Sequence, residues 1–319
     1  MIIKNAQAPI IFLMGPTASG KTALAIDLCQ QENSPFEIIS VDSAMVYTQM
    51  NIGTAKPSDK ELVLAPHHLI DFIDPKQRYS SSQFCEDASQ IINEIHQRGH
   101  IPLLTGGTML YFKSLKEGLS DLPATDESIR LQVKKDFESK GLEALYTELQ
   151  SIDPISATRL HQNDNQRITR AVEVFRMTGK PLSQWHEEQK KYALANPLMS
   201  IALAPLDRQV LHQRIALRFE QMIEQGFLDE VAQLYYRGDL DLNCPSIRSV
   251  GYRQIWQYMD GELSLSEAKE RAVIATRQLA KRQYTWLRSW PNINWFDSLD
   301  LKEVARCKQD INHFVENNM

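Results

Sequence analysis

The chain is poor in cysteine, has no long hydrophobic run and carries no excess of basic charge. Its four cysteines, Cys29, Cys85, Cys244 and Cys307, stand far apart, with no C-x-x-C pair and no matching histidine spacing. That spacing argues against both a disulfide framework and a zinc site, and leaves small hydrophobic residues in a reducing compartment. No stretch reaches the roughly 18 apolar residues that a membrane span needs, and the N-terminus shows no basic segment followed by a long apolar one. The expectation is a cytoplasmic protein that meets no membrane. With 35 Lys and Arg against 40 Asp and Glu, the formal net charge is −5, so a polyanion would have to be held by a local basic patch. Repeats and low-complexity tracts are also missing. The 319 residues suffice for one large domain or two smaller ones, at about 100 to 200 residues each.

What is present begins with GPTASGKT: Gly15, Pro16, Thr17, Ala18, Ser19, Gly20, Lys21 and Thr22. The segment follows the apolar run Ile10 to Met14 and precedes the apolar-periodic Ala23 to Ile26, the order strand, glycine turn, helix that a phosphate loop requires. Its glycines allow successive N–H groups to turn inward at the positive end of the helix dipole. Lys21 adds a positive charge for the phosphates, and the Thr22 hydroxyl is a Mg²⁺ ligand. Read alone, the loop suggests a nucleotide, although any pyrophosphate fits the same cradle.

Short apolar runs at Ile10 to Met14, Phe36 to Val41, Ile101 to Leu104 and Ser200 to Ala204 alternate with helical patterns, which predicts an α/β fold with a parallel sheet flanked by helices. A helix is predicted from Ser82, stopping at Gly99. The pattern turns polar and helical after Leu119, and the strand signal returns only near Ile201. The predicted organisation is a P-loop α/β core over 1–119, an inserted all-helical domain over 120–196, and the rest of the core with a helical C-terminal region over 197–319.

The loops leaving the carboxyl ends of such strands form the ligand crevice. Asp42 ends the second strand there, with three open roles: a Mg²⁺ ligand through water, a cap for the next helix by way of Asp42-Ser43, or a general base. Gly106-Gly107-Thr108 leaves room for a ligand against backbone, and Thr108 can hydrogen-bond it. From Arg271 to Trp290 the chain carries five basic residues and no acidic one, interleaved with Tyr284, Trp286 and Trp290. Such a helix can grip a nucleic-acid backbone and stack bases, or bury its rings and solvate its charges.

GPTASGKT, ISVDSAMVY, NIGTAKP, Ala65-Pro66-His67-His68, IPLLTGGTMLYF, Asn165-Gln166-Arg167, Ser249-Val250-Gly251-Tyr252-Arg253-Gln254 and TRQLAKRQYTWLR together resemble the bacterial tRNA dimethylallyltransferase (tRNA isopentenyltransferase) family. The similarity runs in family order over essentially the whole chain. It implies transfer of a dimethylallyl group from dimethylallyl diphosphate to the N6 amine of the tRNA adenosine 3′ of the anticodon, with the loop holding the diphosphate and Mg²⁺ as cofactor. By the same resemblance Asp42 is the base, Thr108 lies near the amine, and Arg218 contacts the diphosphate. The implied contacts to the tRNA anticodon stem-loop are Asp42, Ser43, Ala44, Met45 and Thr108; Arg130; Gln166, Arg167, Ile168, Thr169 and Arg170; Ile247, Arg248, Ser249, Val250, Gly251 and Tyr252; and Lys281, Arg282, Gln283, Tyr284, Thr285, Trp286, Leu287 and Arg288. A monomer is expected. Eukaryotic members often add a C-terminal zinc finger, whose Cys/His spacing does not follow Trp290 here. The alternatives are a P-loop small-molecule kinase, which would consume ATP, and an RNA-binding module switched by nucleotide.

Overall fold

Apolar runs become buried strands. The computed structural model describes residues 8–119, 122, 126–188 and 193–319; residues 1–7, and parts of the predicted insertion at 120–121, 123–125 and 189–192, lie outside the described residues. β1 (Ile10–Met14) is buried at all five positions, and α1 (Lys21–Cys29) follows it across the glycine loop. Next come β2 (Phe36–Val41), α2 (Asp59–Leu64), β3 (His67–His68), α3 (Ser81–Gln97), β4 (Ile101–Gly106) and α4 (Met109–Glu117). Ser80 caps α3 reciprocally with Gln83, so the predicted helix begins one residue earlier than Ser82.

Four helices follow: α5 (Glu127–Ile152), α6 (Pro154–Arg159), α7 (Asn165–Thr178) and α8 (Leu182–Glu187). The chain then forms β5 (Leu198–Leu203), α9 (Arg208–Glu224), α10 (Phe227–Tyr236), α11 (Tyr252–Met259), α12 (Leu265–Arg288), β6 (Ile293–Phe296) and α13 (Leu301–Glu316).

Two compact units result, Leu115–Leu194 and the remainder of the chain. In the larger unit six parallel strands are ordered β3-β2-β4-β1-β5-β6. Ile11, Leu13, Ile38 and Leu103 on one sheet face pack against Leu24, Ala25 and Leu28 of α1, and against Cys307, Ile311 and Val315 of α13. Register places Met14 and Val41 both opposite Gly106, so the loops after β1, β2 and β4 leave the sheet edge side by side. The smaller unit has its own core of Val133, Leu145, Leu149, Ile168, Ala171 and Val172. Among the described residues no helix is long and apolar enough to cross a membrane.

Two short strands, β3 and β6, carry no run long enough for the sequence to mark. His67 and His68 form β3, with His67 Nδ1 2.7 Å from the Ala65 carbonyl and His68 Nε2 3.1 Å from Glu37. Hydrogen bonding of a sheet edge thus accounts for both histidines.

A buried carboxylate fixes the NIGTAKP segment. Glu230, 9% exposed in α10, accepts the backbone N–H groups of Asn51, Ile52 and Gly53 at 2.8, 2.7 and 3.0 Å, and the Tyr252 hydroxyl at 2.5 Å. Four donors converge on one anion, which is how a buried charge remains tolerable. Glu230→Leu should strand them and lower stability by roughly 3 kcal/mol or more in urea unfolding; an unchanged unfolding curve would contradict this role.

Candidate functional site

The phosphate loop ends at Gly20, whose φ of +94° marks the left-handed backbone needed to enter α1. No side chain caps α1 and its first turn holds no acid, so its leading N–H groups remain open to an anion. Lys21 Nζ folds back onto the loop, donating to the Pro16 carbonyl at 2.7 Å and to Ser19 Oγ at 3.4 Å. Burial pushes its ammonium down to about 7, a shift that the Asp42 carboxylate opposes and the Arg218 guanidinium reinforces. Arg218 is itself lowered from the usual arginine range by burial, with Asp42 opposing and Arg214 adding to the shift.

Asp42 and Thr108 form one hydrogen-bonded corner. Asp42 Oδ1 accepts the N–H groups of Ala44 and Met45 at 2.8 and 3.3 Å, so it caps a turn and not the helix expected there, and Oδ2 makes no bond among the described residues. Thr108 Oγ1 accepts the Ser43 N–H at 3.0 Å, while the Thr108 N–H donates to the Val41 carbonyl at 3.2 Å. The phosphate loop, this corner and Arg218 line a single cleft of about 1440 Å³.

Sequence reasoning missed Arg214, which lines the same cleft one helical turn before Arg218 on α9. Their i,i+4 spacing was the available signal. It also missed Glu230, whose backbone partners lie nearly 180 residues away in the chain.

The residues expected to touch tRNA fall into two groups. Ser43, Arg248, Lys281, Arg282, Thr285 and Arg288 are exposed, and Ala44, Met45, Ser249, Val250 and Trp286 are half-buried. Ile247, Tyr252 and Leu287 are wholly buried and Gly251 and Tyr284 nearly so; of these only Gly251 and Tyr252 border the cleft, and the side chains of Ile247, Tyr284 and Leu287 are taken up by the core. Tyr252 stacks edge-on to Phe227 at 5.0 Å, and the Tyr284 hydroxyl donates to the Pro205 carbonyl at 2.6 Å. Trp290, offered above as a stacking ring, is buried with its Nε1 donating to Ser200 Oγ at 3.2 Å. The reading of Tyr284 and Trp290 as base-stacking rings is therefore corrected: Tyr284 lies on the face that α12 turns to the core, Trp290 follows the end of that helix, and burial claims both. Gln283 is also buried, bridging the Thr17 N–H and the Gly107 carbonyl, each at 3.0 Å.

In the smaller unit Gln166 and Arg167 are exposed at the start of α7, and Thr169 and Arg170 are half-buried. Arg130 is half-buried, 3.4 Å from Glu127. Ile168 is wholly inside that unit's core, so its side chain is no RNA contact.

A Mg²⁺ site is compatible with the cleft. The Thr22 hydroxyl stands in the first turn of α1, and Thr105, on the sheet face that α1 covers, has a buried hydroxyl without a protein partner. Among the described residues no three His, Cys, Asp or Glu side chains gather as a metal cage. Mg²⁺ commonly takes one or two protein oxygens and completes its shell with water and substrate phosphate, which this donor set suits.

Sheet, loop and cleft define a parallel α/β protein whose glycine-bearing loop and uncapped α1 open on a cleft beside the Asp42 carboxylate. The sequence model of the family described as IPP transferase matches residues 45–290, and that of Isopentenyl transferase matches residues 8–70. The chain belongs to the IPP transferase family of tRNA prenyltransferases. It is similar to the tRNA isopentenylpyrophosphate transferase of Bacillus halodurans, with 37% identity over 98% of each chain and a TM-score of 0.70. It also resembles the tRNA delta(2)-isopentenylpyrophosphate transferase of Staphylococcus epidermidis, at 32% identity over 96% of this chain and 99% of that one, with a TM-score of 0.67. A eukaryotic dimethylallyltransferase acting on tRNA matches at 29% identity over 98% of this chain and 80% of its own, with a TM-score of 0.82.

A lysine lowered to about 7 is largely neutral in the empty site above that pH and regains its proton when an anion arrives. At about pH 8, pyrophosphate binding should take up more protons in the native protein than in Lys21→Met, as read by calorimetry in buffers of differing ionisation enthalpy. Equal uptake by the two would rule out the lowered lysine.

Proposed function

We propose that this chain transfers a dimethylallyl group from dimethylallyl diphosphate to the exocyclic N6 amine of the tRNA adenosine immediately 3′ of the anticodon. The observation that carries this reading is the cleft itself. An open helix end with Lys21, Arg214 and Arg218 faces the Asp42–Thr108 corner across one cavity. Met45, Leu110, Leu217 and Leu279 add apolar wall to it, which suits an isoprenoid and gives nothing to a sugar hydroxyl.

In the reaction the N6 lone pair forms a bond to the allylic C1, the C1–O bond breaks, and its electron pair leaves with the diphosphate. Loop N–H groups, Lys21 and Arg218 meet charge where it grows, on the diphosphate oxygens. The fork of Arg218 matches two phosphate oxygens better than an ammonium would. Thr22 and Thr105 are the residues that would hold a hydrated Mg²⁺, which supplies further charge stabilisation to the leaving group. An aromatic amine is a weak nucleophile, and loss of its N–H proton as the bond forms lowers the barrier. Asp42 Oδ2 takes that proton, while Oδ1 stays bound to the Ala44 and Met45 amides and keeps the carboxylate in place.

The adenine must leave its stack in the anticodon loop, which costs a few kcal/mol. Exposed Arg248, Lys281, Arg282 and Arg288 offer cations for the RNA backbone, so a chain of net charge −5 can still bind tRNA. Gln166 and Arg167 extend such contacts in the helical unit. Half-buried Trp286, with the Lys113 ammonium 5.7 Å from its ring centre, remains as the α12 ring able to meet a base.

Asp42→Asn keeps an acceptor for both amides and removes only the base. It should lower the rate of labelled dimethylallyl transfer by about 10² to 10⁴-fold while tRNA affinity stays within twofold. Near-normal turnover would sink the assignment, and ATP consumption without transfer would favour the kinase reading.

A further inference from the structure

We propose that Gln283 is a positioning residue for the diphosphate, acting through the phosphate loop, and not an RNA contact. The inference rests on the reading of that loop as the diphosphate site. Gln283 sits on α12 between Arg282, which is exposed, and Tyr284, which is buried, and is itself 7% exposed. Its carboxamide is used at both ends: Oε1 accepts the Thr17 N–H and Nε2 donates to the Gly107 carbonyl. These partners lie 266 and 176 residues away in sequence.

The consequence is a division of labour within the phosphate loop. The Thr17 N–H is tied to α12, which turns this amide away from any ligand and leaves the amides nearer α1 for the anion. Gly107 is shaped to the same contact, because a Cβ there would fall 2.3 Å from Gln283 Nε2 and 3.3 Å from the Gly15 carbonyl. One side chain therefore ties the loop after β1 to the loop after β4, and the latter carries Thr108. A bond to a loop of this kind stabilises the bound conformation beforehand, so its loss is felt as weaker ligand binding.

The test uses the full chain with Mg²⁺-pyrophosphate and an unmodified anticodon stem-loop RNA as separate probes. Gln283→Met keeps the shape and removes both hydrogen bonds. Pyrophosphate affinity should fall about tenfold, and the donor KM should rise to match, at one to two net hydrogen bonds' worth of free energy. RNA affinity and the tRNA KM should stay unchanged, a split that general loss of structure would not produce. Gly107→Ala pushes the carboxamide away from the other side and should weaken pyrophosphate similarly, with the double variant no worse than either single one.

Weakened RNA binding with normal pyrophosphate binding would overturn the proposal, as would a joint loss of both with a lowered melting temperature. Additive losses in the double variant would also count against it. Failure of the native protein to bind pyrophosphate would remove the diphosphate reading itself, an outcome separate from these.

Discussion

An anion-hungry helix end beside the Asp42 carboxylate is the constraint on which the site depends. Lys21, Arg214 and Arg218 line the cleft with an uncapped α1, and Asp42 is the acid that both Lys21 and Arg218 feel. Burying cations is costly, and the cost surfaces in the lowered affinity of Lys21 and Arg218 for their protons. A bound diphosphate would reverse it. In the proposed reaction the field that would hold a diphosphate would also stabilise it as a leaving group, so binding and departure would be served by one set of charges.

That arrangement is assembled from distant chain segments. The loops after β1, β2 and β4 meet because the strand order sets their ends side by side. Their conformations, however, are held from the helical C-terminal region. Glu230 collects the amides of Asn51 to Gly53, and Gln283 joins Thr17 to Gly107. The residues after β5 thus supply both the cations of α9 and the ties that shape the loops opposite them.

Much of this was legible in the sequence, for reasons specific to each element. β1 and β2 begin and end where their apolar runs do, since strands buried on both faces read as continuous runs. β5 starts two residues before the predicted Ser200, and the short β3 and β6 gave no run to detect. The phosphate loop was visible through its spacing, and Asp42 through its place at a strand end. What the sequence left open was how Asp42 divides its two oxygens between turn and cleft. Helix faces were the other gap: the last turns of α12 look basic and aromatic, yet Gln283, Tyr284 and Leu287 point inward while Arg282 and Arg288 stay outside. Resemblance to a family names a stretch of residues but not which of them are buried.

The most direct test of the central claim is to locate the transferred group. The protein, Mg²⁺, labelled dimethylallyl diphosphate and unmodified tRNA are incubated, and the RNA is digested and mapped by nucleoside mass spectrometry. The account predicts one dimethylallyl group per tRNA, on N6 of the adenosine 3′ of the anticodon, with diphosphate released in equal amount. Absence of label from the tRNA, or label on another nucleoside, would contradict it.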